Sequence, residues 1–200
     1  MTGTTPDASS RERRRARIEQ TALELFRTRG FDQVTVEDVC AEAGVAPATF
    51  YRQFGTKEEV VFAYWDGFLE ALRRAMDTVA GAPESARLRM ILEDFATFLE
   101  SQQGLLALRD QIVLGHPRLM QRTVIAQRDL ETVLAVGLAQ LRGLDEPDAA
   151  TLMEAGLGML VLRVAVRSWR AGGESSLLEG TRTALACLAE VVERGAITSD

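Results

Sequence analysis

The segment 49-TFYRQFGTK-57 brings together two threonines, two phenylalanines, a tyrosine, an arginine and the only lysine of the chain. Taken as a helix at 100° per residue, Phe50, Phe54 and Pro47 fall on one arc, and Ala48, Thr49, Tyr51 and Arg52 on the opposite one. The two rings can anchor a helix that is too short to be stable alone. The other arc is small and cationic, with a phenol at its edge. Ala48 and Thr49 permit close approach to a major groove, and Arg52 can reach guanine or phosphate. Lys57 and the amides of the helix that starts beside it can hold a backbone phosphate, because helix N-termini attract anions. This is the chemistry of reading a duplex.

The rest of the inventory argues against catalysis. There is one histidine, His116, and there are two cysteines, Cys40 and Cys187, far apart and outside any CxxC. The cysteines read as reduced, small apolar core residues of an intracellular protein. His116 directly precedes Pro117 and reads as a cap or turn residue. No paired metal ligands, Gly-rich phosphate loop or nucleophile elbow occurs, so neither an enzyme nor a cofactor is expected. The formal charge of −6 excludes a general polycation, and any anion site must be a local cluster. Arg11, Arg13, Arg14, Arg15 and Arg17 form one such cluster, either a solvated helix start or an arm against phosphate or the minor groove.

The elements that must position these residues read as helices throughout. Residues 1–10 are polar and expected to be disordered. An apolar stripe of Ile18, Ala22, Leu25 and Phe26 marks a helix from Arg11 to just before Gly30. Thr35 opens a second, with Glu37 and Asp38 in its first turn, and Gly44 closes it. A third runs from Pro47 to Phe54 and stops at Gly55. Thr56 with Glu59 forms a capping box for a long fourth helix reaching about Ala80. Turn formers at 81–85 mark a soft boundary, and five more helices are expected at 84–102, 105–115, 117–142, 147–171 and 175–194. No strand alternation or repeat is present. The chain reads as all-α with about nine helices, soluble and cytoplasmic. No signal peptide is expected from its polar, then arginine-rich start, and its longest apolar run (155–166, holding Arg163) reads as too short to span a membrane.

A helix at 35–43, a turn with Gly44 and a helix at 46–54 make a helix-turn-helix. The run 30-GFDQVTVEDVCAEAGVAPATFYRQFGTKEEVVFAYW-65 resembles the DNA-binding domain of the TetR family of regulators, through T-V-E-D-V, A-G-V, T-F-Y-x-x-F and the K-E-E that follows. The resemblance implies a DNA-binding domain over 11–70, with its helix-turn-helix at 35–54, and a ligand-binding and dimerisation domain over 71–200. It assigns Tyr51 and Lys57 to phosphate contacts, Thr35 and Val36 to the start of the second helix, which also touches DNA, and Ala46, Pro47, Ala48, Thr49 and Arg52 to the recognition helix. The implied partners are a palindromic double-stranded operator, a second copy of the chain and a small-molecule inducer, with no membrane. Repression is the expected mode, activation the alternative. An all-helical adaptor is the competing class, and it would have no need of an outward Thr49, Tyr51, Arg52 and Lys57.

For the second half, two apolar stripes exceed what one helix pair can bury, so a dimeric four-helix bundle is expected through Leu152, Gly156, Met159, Leu185 and Leu188. Apolar residues over 88–169, Phe95, Leu99, Ile112, Val124 and Trp169 among them, suit a long apolar pocket, with Arg118, Arg122 and Arg128 at its mouth for an anionic head. Arg163, inside an apolar run, needs either an internal partner such as Glu154 or Asp110, or an anionic ligand. Residues 112–138 are similar to the C-terminal domain of mycofactocin-system and acyl-CoA-sensing members of the family, which implies a fatty-acyl inducer.

Overall fold

The computed structural model describes residues 8–195. Among them the chain forms α1 (Ala8–Arg29), one 3-10 turn (Phe31–Gln33), α2 (Val36–Ala43), α3 (Pro47–Phe54), α4 (Lys57–Val61), α5 (Trp65–Thr78), α6 (Glu84–Ser101), α7 (Gln103–Leu114), α8 (Pro117–Leu141), α9 (Ala149–Arg170) and α10 (Leu177–Glu193). The all-helical class and most boundaries follow the sequence. The helix expected from Arg11 begins at Ala8, and residues 1–7 of the segment expected to be disordered lie outside those described. The long fourth helix is two. Thr56 caps α4, accepting from the Glu59 amide at 3.2 Å, but the chain turns at Phe62–Tyr64, where the Ala63 amide returns to the Val60 carbonyl. No glycine or proline marks that break. It lies where Val60, Val61 and Phe62 enter a core.

The chain folds as two compact units, one comprising residues through Trp65 with Gly104–Thr123, the other Asp66–Gln103 with the chain from Val124 onward. A boundary at residue 70 therefore leaves out part of the first unit. Ile112 of α7 and Leu119 of α8 are buried in the same core as Ile18, Phe26, Phe31, Val39, Phe50 and Phe54.

In the second unit α10 packs on α9 and α6, and α6 on α9. Close approach is paid for in side-chain volume: a Cβ on Gly180 of α10 would stand 3.3 Å from the Ala165 carbonyl oxygen of α9, and one on Gly158 would meet Leu88, Leu92 and Leu134 at 3.2–3.4 Å. Asp148 and Ser176 cap α9 and α10. The Glu100 carboxylate accepts from the Leu177 amide at 2.9 Å, and Arg182 reaches Glu93 on α6 at 3.1 Å. By length and composition α9 is apolar enough to cross a membrane, with a mean hydropathy of 1.6, which its run 155–166 alone was not. In the fold it is a packed helix whose outward face carries Arg163 and Arg167.

Candidate nucleic-acid interface

The site is built on α2, α3 and the turn between them. Thr35 stands at the N-cap of α2. Its hydroxyl donates to the Asp38 carboxylate at 2.7 Å, its amide donates to the same oxygen at 2.8 Å, and the Asp38 amide returns to the hydroxyl at 3.1 Å. This capping box holds the Asp38 carboxyl below the usual aspartate range, through the Thr35 hydroxyl first and its amide second. It also turns the acid onto its own helix end. Gly44 closes α2 in the left-handed region at φ 63°, and the Val45 amide returns to the Cys40 carbonyl at 3.0 Å. Cys40 is buried, and desolvation raises its thiol pKa, so it is an inert core residue. Cys187, expected in a core, lies exposed on α10.

α3 has Pro47 in its first turn and is held by two rings. Phe50 and Phe54 are buried, their centroids 5.4 Å apart. Arg15 of α1 donates to the Gln53 carbonyl at 2.8 Å and lies over the Phe54 ring at 4.7 Å. That arginine therefore closes the end of α3, and Arg11, Arg13 and Arg17 stay exposed on α1. On the opposite side Ala46, Pro47, Ala48 and Arg52 are exposed, Thr49 and Val36 are half-buried, and Tyr51 keeps 48% of its surface. Pro47 faces outward because it opens the helix, not inward with the rings. The Tyr51 ring sits edge-on to Phe50 at 5.8 Å, which fixes the direction of the phenol. The face thus combines small residues for approach, a held phenol and a guanidinium.

Lys57 does more than the sequence indicated. Its ammonium donates to the carbonyls of Phe31 at 2.9 Å and Val34 at 3.2 Å and lies over the Phe31 ring at 4.4 Å. It ties the start of α4 to the 3-10 turn that precedes Thr35, leaving one of three N–H donors for another partner.

The residues expected around a ligand are divided between the two units. Phe95 and Leu99 are buried in the second unit, where Phe95 and Phe98 stack at 6.1 Å and both stand edge-on to Phe68. Ile112 is buried in the first unit. Arg118, Val124, Arg128 and Arg163 are exposed, and Trp169 is half-buried on α9. Arg122 is held by Glu59 at 2.6 Å and by the Phe62 ring. Glu154, an expected partner of Arg163, is bound instead to Arg142 at 2.6 Å, and Arg142 also holds Glu84. That ion cluster borders a small pocket of about 160 Å³ lined by Arg87, Leu88, Leu138 and Leu141. Of the expected dimer residues, Leu152 is exposed, while Gly156, Met159, Leu185 and Leu188 are half-buried.

Residues 18–64 match the family model of the N-terminal domain of bacterial regulatory proteins of the tetR family. Residues 82–193, more than half of the chain, match that of the MftR C-terminal domain. Over 127 residues the chain is 28% identical to MftR of Mycobacterium tuberculosis, a regulator assigned to mycofactocin biosynthesis; the match spans 63% of this chain and 64% of MftR. It is 29% identical over 182 residues to the HTH-type transcriptional regulator TcmR of Streptomyces glaucescens, covering 86% and 80%. The crystal structure of the repressor FadR of Thermus thermophilus with lauroyl-CoA superposes with a TM-score of 0.55 at 24% identity, over 93% of this chain and 96% of that one, which shows the shared fold.

Proposed function

The chain belongs to the TetR family of bacterial regulatory proteins and is a DNA-binding transcription regulator, and on that premise we propose that it is a homodimeric repressor, held on a palindromic operator and released by a small apolar ligand. The observation that carries the DNA-binding face is the division of α3: Phe50 and Phe54 fix the helix from behind, while Ala48, Tyr51 and Arg52 stand outward. In this reading Arg52 reads a base edge, Thr49 and Ala48 allow the approach, and Tyr51, the Thr35–Val36 amides and the remaining Lys57 donor hold phosphates. Ala46 and Pro47 set the entry of the recognition helix.

Pairing of two such units supplies two half-sites, which a palindrome requires. The outward face of α9 supports it: Leu152, Met153, Leu160 and Val164 are exposed there, Met153 at 66%. Leu185 and Leu188 of α10 border the same bundle. For the ligand, the Phe68–Phe95–Phe98 cluster is the apolar core of the second unit that an acyl chain would enter. The lauroyl-CoA held by FadR makes fatty-acyl compounds the first class to try. The protein acts in the cytoplasm, where its operator is.

The reading is tested by selecting fragments of the protein's own genome on the purified chain, then titrating the complex with long-chain acyl-CoAs, free fatty acids and cationic dyes. A palindromic site released by an acyl compound supports it. Release by dyes alone overturns the ligand, and no enriched site overturns the regulator.

A further inference from the structure

Arg163 is exposed in the middle of the apolar outward face of α9, between Met159, Leu160 and Val164. Gly156 lies seven residues earlier. Two helical turns bring it back to the same stripe, about 10 Å along the axis. Gly156 leaves a notch in that stripe, and a carboxylate already occupies its rim: Glu131 Oε1 of α8 stands 3.6 Å from where a Gly156 Cβ would be. The face therefore carries two cations, Arg163 and one turn on Arg167, at one end, a notch with an anion at the other, and Met159 and Leu160 midway.

Such a surface is complementary to itself under a two-fold axis crossing α9 between Met159 and Leu160. We infer that this face seats a second copy of the chain antiparallel to the first, with Arg163 entering the Gly156 notch of the partner subunit and pairing with its Glu131, twice per dimer. The inference rests on the dimer proposed above and adds its register and charge code. Both pairs are reciprocal, as an isologous interface demands. A parallel pairing about an axis along α9 would set Arg163 against Arg163, so the charges select the antiparallel arrangement. Placing the guanidinium in an interface that buries Met153, Leu160 and Val164 is tolerable only with an acid opposite it. Of its own-chain candidates, Glu154 is held by Arg142.

The test is a charge swap on two exposed positions, with circular dichroism to verify that each variant stays helical. Arg163→Glu alone places two acids in each contact, and Glu131→Arg alone places two bases there. Each is expected to weaken self-association by about tenfold or more, the range for juxtaposed like charges. Mixed, the two variants form two correct pairs per dimer, so native mass spectrometry of the mixture shows the heterodimer in excess of either homodimer. A wild-type chain that sediments as a dimer, with variants that self-associate normally and mix statistically, overturns the Arg163–Glu131 register and leaves the dimer standing. A wild-type chain that sediments as a monomer overturns both.

Discussion

Arg109 of α7 donates to the carboxylate of Glu19 on α1, ninety positions away in sequence, and its guanidinium stacks on the Tyr64 ring at 4.2 Å. The arginine is 2% exposed and Glu19 17%. Burial pushes the Glu19 carboxyl up and the Arg109 guanidinium down, each opposed by the attraction of the other. Through this pair α7 is fastened to the first helix of the DNA-binding unit and to the turn that separates α4 from α5.

Removing one partner leaves the other buried and charged. Arg109→Ala is expected to destabilise the first unit by about 3–5 kcal/mol. The double variant Arg109→Met with Glu19→Leu is expected to recover most of that. Urea unfolding followed by the near-ultraviolet signal of the unit measures both. A single variant as stable as the wild type would show that the pair contributes nothing to holding α7.

The Thr35–Asp38 capping box sets an acid limit on the same unit. Asp38 has a folded pKa below the ordinary aspartate value of 3.8. Its contribution is therefore fully present above that value and is lost as pH falls through the lowered one. The urea midpoint is expected to drop on acidification below about pH 4, and Asp38→Asn, which keeps an acceptor for Thr35, is expected to flatten that limb. Equal slopes in the two proteins would count against the assignment. Asp148, lowered by the Thr151 amide first, adds the same dependence to the second unit.

Lys57 is expected to affect stability as well as DNA binding, because two of its donors end on the Phe31 and Val34 carbonyls. Lys57→Met is predicted to lower stability by about 1–2 kcal/mol and to weaken operator binding. The log–log salt slope should become shallower by about one per half-site if the third donor meets a phosphate. An unchanged slope with reduced stability would make Lys57 a positioning residue only.

The two glycines of α9 separate folding from assembly. Gly158 is buried against Leu88, Leu92 and Leu134, whereas a Cβ on Gly156 meets only the Glu131 carboxylate. Gly158→Leu is expected to overpack the core and destabilise the second unit by about 1–3 kcal/mol. Gly156→Leu is expected to leave the melting curve of dilute protein unchanged and to raise the dissociation constant of the dimer, read by sedimentation. Equal self-association of Gly156→Leu and wild type would move the interface elsewhere.

Much of this was legible in the sequence, because local signals carried it. Pro47 and Gly55 bracket α3, Thr35 and Gly44 bracket α2, and the Phe50/Phe54 spacing dictates which side is buried. What was not legible depends on distant partners. The α4–α5 break follows from Val60, Val61 and Phe62 entering the core, not from a breaker residue. Nothing in 105-LLALRDQIVL-114 distinguishes Arg109 from a solvated arginine, since its partners are Glu19 and Tyr64. Arg163 drew notice as a charge in an apolar run, but periodicity alone did not say that the run's outward side is exposed. The expected ligand residues divide between the two units, which the sequence did not signal for the same reason. An apolar residue on a helix says that something covers it, not which unit does.

In the proposed function the outward side of α3 reads an operator. The direct measurement is quantitative binding of wild type, Tyr51→Phe and Arg52→Ala to a selected palindrome and to the same site with each base pair replaced in turn. Tyr51→Phe is predicted to weaken binding to all sequences alike. Arg52→Ala is predicted to lose about 1–3 kcal/mol of discrimination at one position of each half-site and little elsewhere. Wild-type affinity and preference retained by both variants would contradict it.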